Sequence, residues 1–359
     1  MPAGISIRKV DGKPGEVYYP LERVNLPSQS PSPTQVKIRI SAAALNHRDL
    51  FIRQHLYPGI SFGVPLLADG CGTVIATGSD PSAKKWMGKR VILNPGTGWK
   101  DSPDGPEEKG GYKIMGGTRT NPLGTLIEEL VIDASECEEA PPHLSDAEAA
   151  ALPLTGLTAW RALSKTQRGQ PGKSILVTGI GGGVALMALM FASAAGAKVY
   201  VSSGDETKLQ KAKELGAAGG VNYKKDGWEK DLTAMVEGGK LDAIVDGAGG
   251  DIVVKGARML KDGGKISVYG MTISPKMQYV MPVVMRNIDV MGSTMGSRKE
   301  FADMVEFVTK KQLKPVVSRV VKGINDIDAL DSLFTDMKQG KQFGKLVIEL
   351  PKEGESSKL

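Results

Sequence analysis

From Ser174 onward, short apolar runs alternate with longer amphipathic stretches. The runs Ser174-Ile-Leu-Val-Thr178, Lys198 to Val201, Gly220 to Asn222, Leu241 to Val245, Lys265 to Tyr269 and Asn287 to Met291 are too short for helices. Most are rich in branched apolar residues and read as buried parallel strands. Between them, Leu186 to Ala195, Glu206 to Leu215, Trp228 to Glu237 and Ile252 to Leu260 have helical length and pattern. This tempo predicts a six-stranded doubly wound sheet. Before Ser174 the pattern changes. Val36, Ile38 and Ile40 alternate with polar residues, the mark of a half-buried strand. Gly72 to Gly78, Lys89 to Leu93 and Leu126 to Ile132 add strands, and Asn46 to Gln54 reads as a short helix. Residues 94–124 form a long loop dense in Gly, Pro and charge, a length usually reserved for lids or lobes. Helices Ser145 to Ala151 and Thr155 to Ser164 flank Pro153. After the alternating part come an amphipathic helix, Arg298 to Lys311, with Phe301, Met304, Val305 and Val308 on one face, then strand Val316 to Val321, helix Asp326 to Met337 and strand Leu346 to Leu350.

The first strand of the alternating part runs into Gly179-Ile180-Gly181-Gly182-Gly183-Val184-Ala185 and then a helix. Strand, glycine turn, helix and strand make the βαβ unit of a dinucleotide-binding sheet. A pyrophosphate there lies against backbone N–H groups at a helix N-terminus, and a Cβ would hold it away. An NAD site usually carries Asp or Glu ~20 residues past the glycines to hold the ribose 2′-OH. This chain has Ser203 there, with Lys208 five residues on; Asp205 is the competing acidic candidate and is placed to cap the next helix. Hydroxyls and an ammonium suit a 2′-phosphate, so NADPH is the expected coenzyme.

At 359 residues two domains are expected. With 46 basic and 40 acidic residues the signs nearly balance, and no block of five like charges occurs, so neither nucleic acid nor a membrane surface is indicated. No run of 18 apolar residues predicts a membrane span, and residues 1–30 lack a signal-peptide pattern. Cys71 and Cys137, the only cysteines, cannot make a disulfide framework or a Cys-based structural zinc site. The final Ser357-Lys358-Leu359 matches the address read by the peroxisomal import receptor, which makes a peroxisomal location the expectation and a cytoplasmic one the alternative.

Thr155-Gly-Leu-Thr-Ala-Trp160, Gly181-Gly-Gly-Val184, Val245-Asp-Gly-Ala-Gly249, Gly263-Gly-Lys-Ile266 and Gly344-Lys-Leu-Val347 follow one another in a recognisable order. Along nearly its whole length the chain resembles the medium-chain dehydrogenase/reductase superfamily. The resemblance implies an α/β architecture: a Rossmann doubly wound parallel sheet, residues 153–298, plus a GroES-like β-rich catalytic domain made of residues 1–152 and 299–359. It also implies a cleft at the junction and a homodimer. Zinc members carry Cys, His and Glu ligands. Here Asn46 stands at the Cys position, and Ala68, in Leu67-Ala68-Asp69-Gly70, stands at the His position. The loop 94–124, where such enzymes hold structural zinc, has no Cys. A metal-free enzyme is therefore expected.

Asn46-x-x-Asp49, Arg53 and Leu56-Tyr57-Pro58 look like the zinc-free NADPH quinone oxidoreductases and enoyl thioester reductases. His55, for the family's Gly, and Ala185, for the last glycine of the turn, depart from that pattern. The resemblance places Thr158, Gly181, Gly182, Gly183 and Val184 on the cofactor phosphates, Tyr223 at the adenosine end with the lysine, and Gly247 and Gly270 in the same coenzyme site. Hydride delivery to an enone, enoyl thioester or quinone builds negative charge on the conjugated oxygen, which donors must stabilise and a proton must quench. Tyr57 is the candidate donor, and Asn46 would hold the substrate carbonyl or the nicotinamide ribose. Asp49 and Arg53, four apart, read as a helix-surface ion pair, Asp69 as a buried carboxylate paired with Arg53 or another base, and His47 as a surface residue. The expected activity is zinc-independent reduction of small α,β-unsaturated carbonyls or quinones. The alternatives are a metal-free carbonyl reductase or alcohol dehydrogenase, and a catalytically idle NADPH-binding protein.

Overall fold

A computed structural model describes residues 1–274 and 276–351, so the Ser357-Lys358-Leu359 tail lies outside the described residues. The chain divides into Met1–Leu154 with Ser297–Leu359, and Thr155–Gly296. The divisions fall two residues from those expected, the first of them inside the helix Pro153–Thr166. The helix Pro153–Thr166 begins at the proline itself, which suits a first helical position because it needs no N–H there. Ser297 belongs with the last unit because it caps the helix Arg298–Lys311 through a hydrogen bond from Glu300 N.

In Thr155–Gly296, six parallel strands lie in the order Gly219–Asn222, Lys198–Ser203, Ser174–Val177, Leu241–Asp246, Leu260–Val268 and Asp289–Gly292. This is the Rossmann order, with the first strand of the unit at the centre. Ser174–Val177 and Leu241–Asp246 are buried at every position, which is why their sequences show no alternation. The helix Gly183–Ala194 buries eight residues from Ala185 to Ala192. A short helix, Met281–Met285, was not anticipated from the sequence; it is five residues long, starts at Met281-Pro282, and gives no periodic signal.

The other unit is built on a seven-stranded sheet drawn from both ends of the chain. Gln35–Ala44 is the hub. It pairs antiparallel with Asp69–Thr77, Glu129–Asp133 and Lys345–Glu349. In these registers Ala44 faces Asp69 on one side and Val347 on the other, and Leu45 N donates to Leu346 O at 2.9 Å. The loop 94–124 is tied down locally. A small hairpin pairs Gly96–Thr97 with Lys113–Ile114. Glu107 accepts backbone N–H bonds from Lys100, Asp101 and Ser102 at 2.7, 2.9 and 2.6 Å, which pulls its pKa down to about 2. Among the described residues no helix is long and apolar enough to cross a membrane.

Candidate active site and coenzyme site

In the Rossmann unit the glycine turn has the backbone its composition requires. Gly181 sits at φ +118°, a conformation side-chain-bearing residues rarely adopt. Gly182 is the N-cap of the following helix and, having no side chain, leaves the first helical N–H groups without a side-chain cap. Ile180 N donates to Ser202 O at 2.9 Å and ties the turn to the second strand. Uncapped donors at the start of a twelve-residue helix fit a pyrophosphate. Ala185 is buried beneath the turn, so its methyl is absorbed by packing.

Ser203 is buried at the end of its strand and its Oγ accepts from Asp205 N at 3.2 Å. Asp205 caps its helix, accepting from Thr207 N at 2.8 Å and Thr207 Oγ1 at 2.6 Å, which holds its carboxyl below the usual range. Lys208 is half-buried and lies along Gly181: a Cβ there would meet Lys208 Cδ at 2.8 Å and Nζ at 3.3 Å. Tyr223 N donates to Ser203 O at 3.1 Å, so Tyr223 is held beside that serine with its ring 44% exposed. Gly247 and Gly270 meet at the ends of their strands, where a Cβ on Gly270 would stand 3.1 Å from Gly247 O. Thr158 is buried, and its hydroxyl donates to Met295 Sδ at 3.6 Å. The sequence reading missed Asp246. Its carboxylate accepts from Thr178 Oγ1 at 2.5 Å and Gly249 N at 2.7 Å, fixing two strand ends together, and burial raises its pKa.

In the GroES-like unit the strand registers bring together three residues far apart in sequence. Lys345 Nζ donates to Asn46 Oδ1 at 2.6 Å and to Asp69 Oδ2 at 2.8 Å. Asn46 Nδ2 donates to the same Asp69 oxygen at 2.9 Å, and Asp69 Oδ1 accepts from Leu154 N at 2.7 Å. All three side chains are buried. The expected Asp69 base is thus Lys345, not Arg53. Lys345 itself was visible only as part of Gly344-Lys-Leu-Val347, and nothing in its local sequence announces a partner 276 residues away.

The expected Asp49–Arg53 pair does not form. Asp49 turns back along its helix to accept from Asn46 N at 2.8 Å and from Arg48 Nη1 at 3.1 Å. Burial raises the Asp49 pKa to about 6, against the opposing pull of Arg48. Arg53 is also buried, pairing with Asp331 at 2.5 Å between the rings of Tyr18 and Phe334. Both groups face inward, so the i,i+4 surface rule has no hold on them. Arg48 Nη2 donates to Gly116 O at 2.9 Å, its Nε is buried without a hydrogen-bond partner among the described residues, and its guanidinium lies 4.8 Å from the Tyr57 ring centre. The half-buried Tyr57 has no hydrogen-bond partner for its hydroxyl among the described residues. His47 keeps much of its ring exposed, yet desolvation and then the Lys345 ammonium lower its pKa. His55 holds φ +56°, the left-handed geometry a glycine takes freely, and its Nδ1 lies 2.6 Å from the Tyr19 hydroxyl.

Residues 32–142 match the alcohol dehydrogenase GroES-like domain and residues 183–310 the zinc-binding dehydrogenase family. The chain is 48% identical over 358 residues to zinc-type alcohol dehydrogenase-like protein YogA of Leptosphaeria maculans, covering 98% of this chain and 100% of that one. It belongs to the medium-chain dehydrogenase/reductase superfamily. A solved NAD-dependent alcohol dehydrogenase is 31% identical with a TM-score of 0.83, over 98% of this chain and 100% of that one. Quinone oxidoreductase-like protein 2 of Bos taurus is 25% identical over 357 residues, 93% of this chain and 90% of that one. This superfamily member is an oxidoreductase whose relatives span zinc-type and quinone-reductase-like names. Asn46, Asp69 and the Lys345 ammonium are bonded to one another. Among the described residues no three His, Cys, Asp or Glu cluster closely enough to hold a metal ion.

Proposed function

We propose that this chain is a metal-free, NADPH-dependent reductase of α,β-unsaturated carbonyls or quinones. The observation that carries this reading is Lys345, whose ammonium is held by both Asn46 and Asp69. Zinc needs about four N, S or O ligands. Here the oxygens that could serve are bonded to a fixed positive charge, which repels a second cation. The donor set does not fit zinc.

The nicotinamide, when bound, supplies the hydride. The chain's own residues bind and protonate. The N–H groups after Gly182 take the pyrophosphate, and Ser203, Lys208 and Tyr223 take the 2′-phosphate. Tyr57, with an uncommitted hydroxyl, gives the proton to the reduced substrate. The Asn46 carboxamide is engaged by Asp69 and Lys345 and keeps one N–H for a substrate carbonyl.

Mixing the purified protein with NADPH and a panel of enones, quinones and ketones, with and without chelator, tests the reading. NADPH oxidation by enones or quinones that survives chelation is expected. Turnover of ketones alone would point to a metal-free carbonyl reductase, the reading that the likeness to alcohol dehydrogenases favours. Tight binding without turnover would mark an idle NADPH-binding protein. We also infer a homodimer through the outer strand Asp289–Gly292 and the neighbouring Tyr279, Met281, Val284 and Met285, which are 64%, 66%, 56% and 76% exposed. Light scattering should show a dimer that Met285→Asp weakens. Peroxisomal import through Ser357-Lys358-Leu359 is a further proposal, tested by imaging an amino-terminal fluorescent fusion with and without those three residues.

A further inference from the structure

We infer that Lys224 is a second cation for the coenzyme 2′-phosphate, and that position 204 is glycine to make room for it; this rests on the NADPH reading above. A Cβ built on Gly204 would stand 2.6 Å from Lys224 Cε, 3.0 Å from the Tyr223 hydroxyl and 3.1 Å from Lys224 Nζ. The ammonium and the phenol therefore converge on the open face of Gly204, beside Ser203. The arrangement repeats what Lys208 does at Gly181, where the missing Cβ leaves space for that lysine's chain. Two lysines thus lie on two glycines, one on the phosphate turn and one at the end of the neighbouring strand. Backbone contacts aim the second: Lys224 N donates to Asn222 Oδ1 at 3.0 Å, and Tyr223 N donates to Ser203 O at 3.1 Å.

The local charges are unbalanced in one direction. Asp205 caps its helix at Thr207, and its charge acts on Lys208. Glu206 pairs with Lys225 at 2.8 Å and accepts from Asn222 Nδ2 at 3.1 Å. Lys225 is thereby neutralised, whereas its neighbour Lys224 makes no ion pair among the described residues. Two ammoniums and the hydroxyls of Ser203 and Tyr223 match a phosphomonoester, which carries close to two negative charges at neutral pH. A free ribose hydroxyl is neutral and gives the Lys224 ammonium nothing to offset.

Calorimetric titration with NADPH and with NADH, on wild type and on Lys224→Ala, Lys224→Arg, Gly204→Ala and Lys225→Ala, tests the assignment. Wild type should bind NADPH more tightly. Lys224→Ala should weaken NADPH about tenfold, the size of a lost charge-assisted contact, and leave NADH unchanged. Lys224→Arg should retain the preference, and Lys225→Ala should not alter it. In Gly204→Ala the new methyl displaces only the end of a flexible side chain, so the fold survives while NADPH affinity drops. If wild type prefers NADPH but Lys224→Ala binds it undiminished, the role of Lys224 is overturned while the coenzyme reading stands. Equal loss for both coenzymes in Lys224→Ala would mean a structural role and also overturn it. If wild type prefers NADH, the coenzyme reading and the inference fall together.

Discussion

The glycine turn at 179–185 and the Asn46–Asp69–Lys345 network are both polar constructions, but they are assembled in opposite ways. The turn is made by the backbone of seven consecutive residues, and its donors are N–H groups that every residue carries. The network is made by side chains contributed by a helix start and two strand starts, brought together because Ala44 faces Asp69 on one side and Val347 on the other. The turn's donors sit on half-buried residues, Gly182 to Val184, and call for no partner side chain. A buried side-chain network must be complete, because a missing partner leaves a charge without water or counter-ion. Damage should therefore be structural in one region and confined to ligand affinity in the other.

Lys345→Met should have the largest effect. It strands the Asp69 carboxylate in the interior and should cost about 3–5 kcal/mol in urea unfolding, whereas adding Asp69→Asn to it should restore most of that loss. An unaltered urea midpoint in the single variant would show that the pair is not a buried salt bridge.

Asp49 is next. Its pKa in the fold, about 6, lies above that of an unfolded aspartate, so the folded chain binds the proton more tightly. Stability should therefore be greatest below the unfolded pKa and fall as pH rises toward about 6, then level off. Relative to Asp49→Asn, which cannot titrate there, wild type should lose about 2 kcal/mol between pH 4 and pH 7. A difference independent of pH would remove the buried carboxyl from the account.

Tyr57→Phe should lower kcat about a hundredfold, at the low end for a lost general acid, with urea stability and NADPH affinity retained. The smallest effect falls on the coenzyme side. Lys208→Ala should weaken NADPH about tenfold and leave both NADH binding and the urea midpoint in place. Large unfolding penalties from Lys208→Ala would erase the contrast between the two regions.

The same contrast explains what could be read from the chain. The six-stranded sheet, the glycine turn and the Asp205 cap are local or periodic, and apolar runs with their bounding glycines display them. The extent of the helix Arg298–Lys311 was legible to the residue because a capping serine and four inward apolar residues mark it. Lys345 was not legible as a partner of Asn46 and Asp69, since strand register, and no nearby residue, decides their meeting. Asp49 and Arg53 were assigned to each other on helical spacing, which holds for solvated faces; burial gave each a different partner, Arg48 and Asp331. Lys224 escaped notice because two adjacent lysines look alike until Glu206 pairs with one of them.

The central proposal is that a lysine ammonium takes the place of a metal ion in this oxidoreductase. Elemental analysis of the purified protein, on the same sample that oxidises NADPH with an enone, tests it directly. The account predicts zinc far below one ion per chain and turnover indifferent to chelator. One zinc per chain, removed together with the activity, would contradict it.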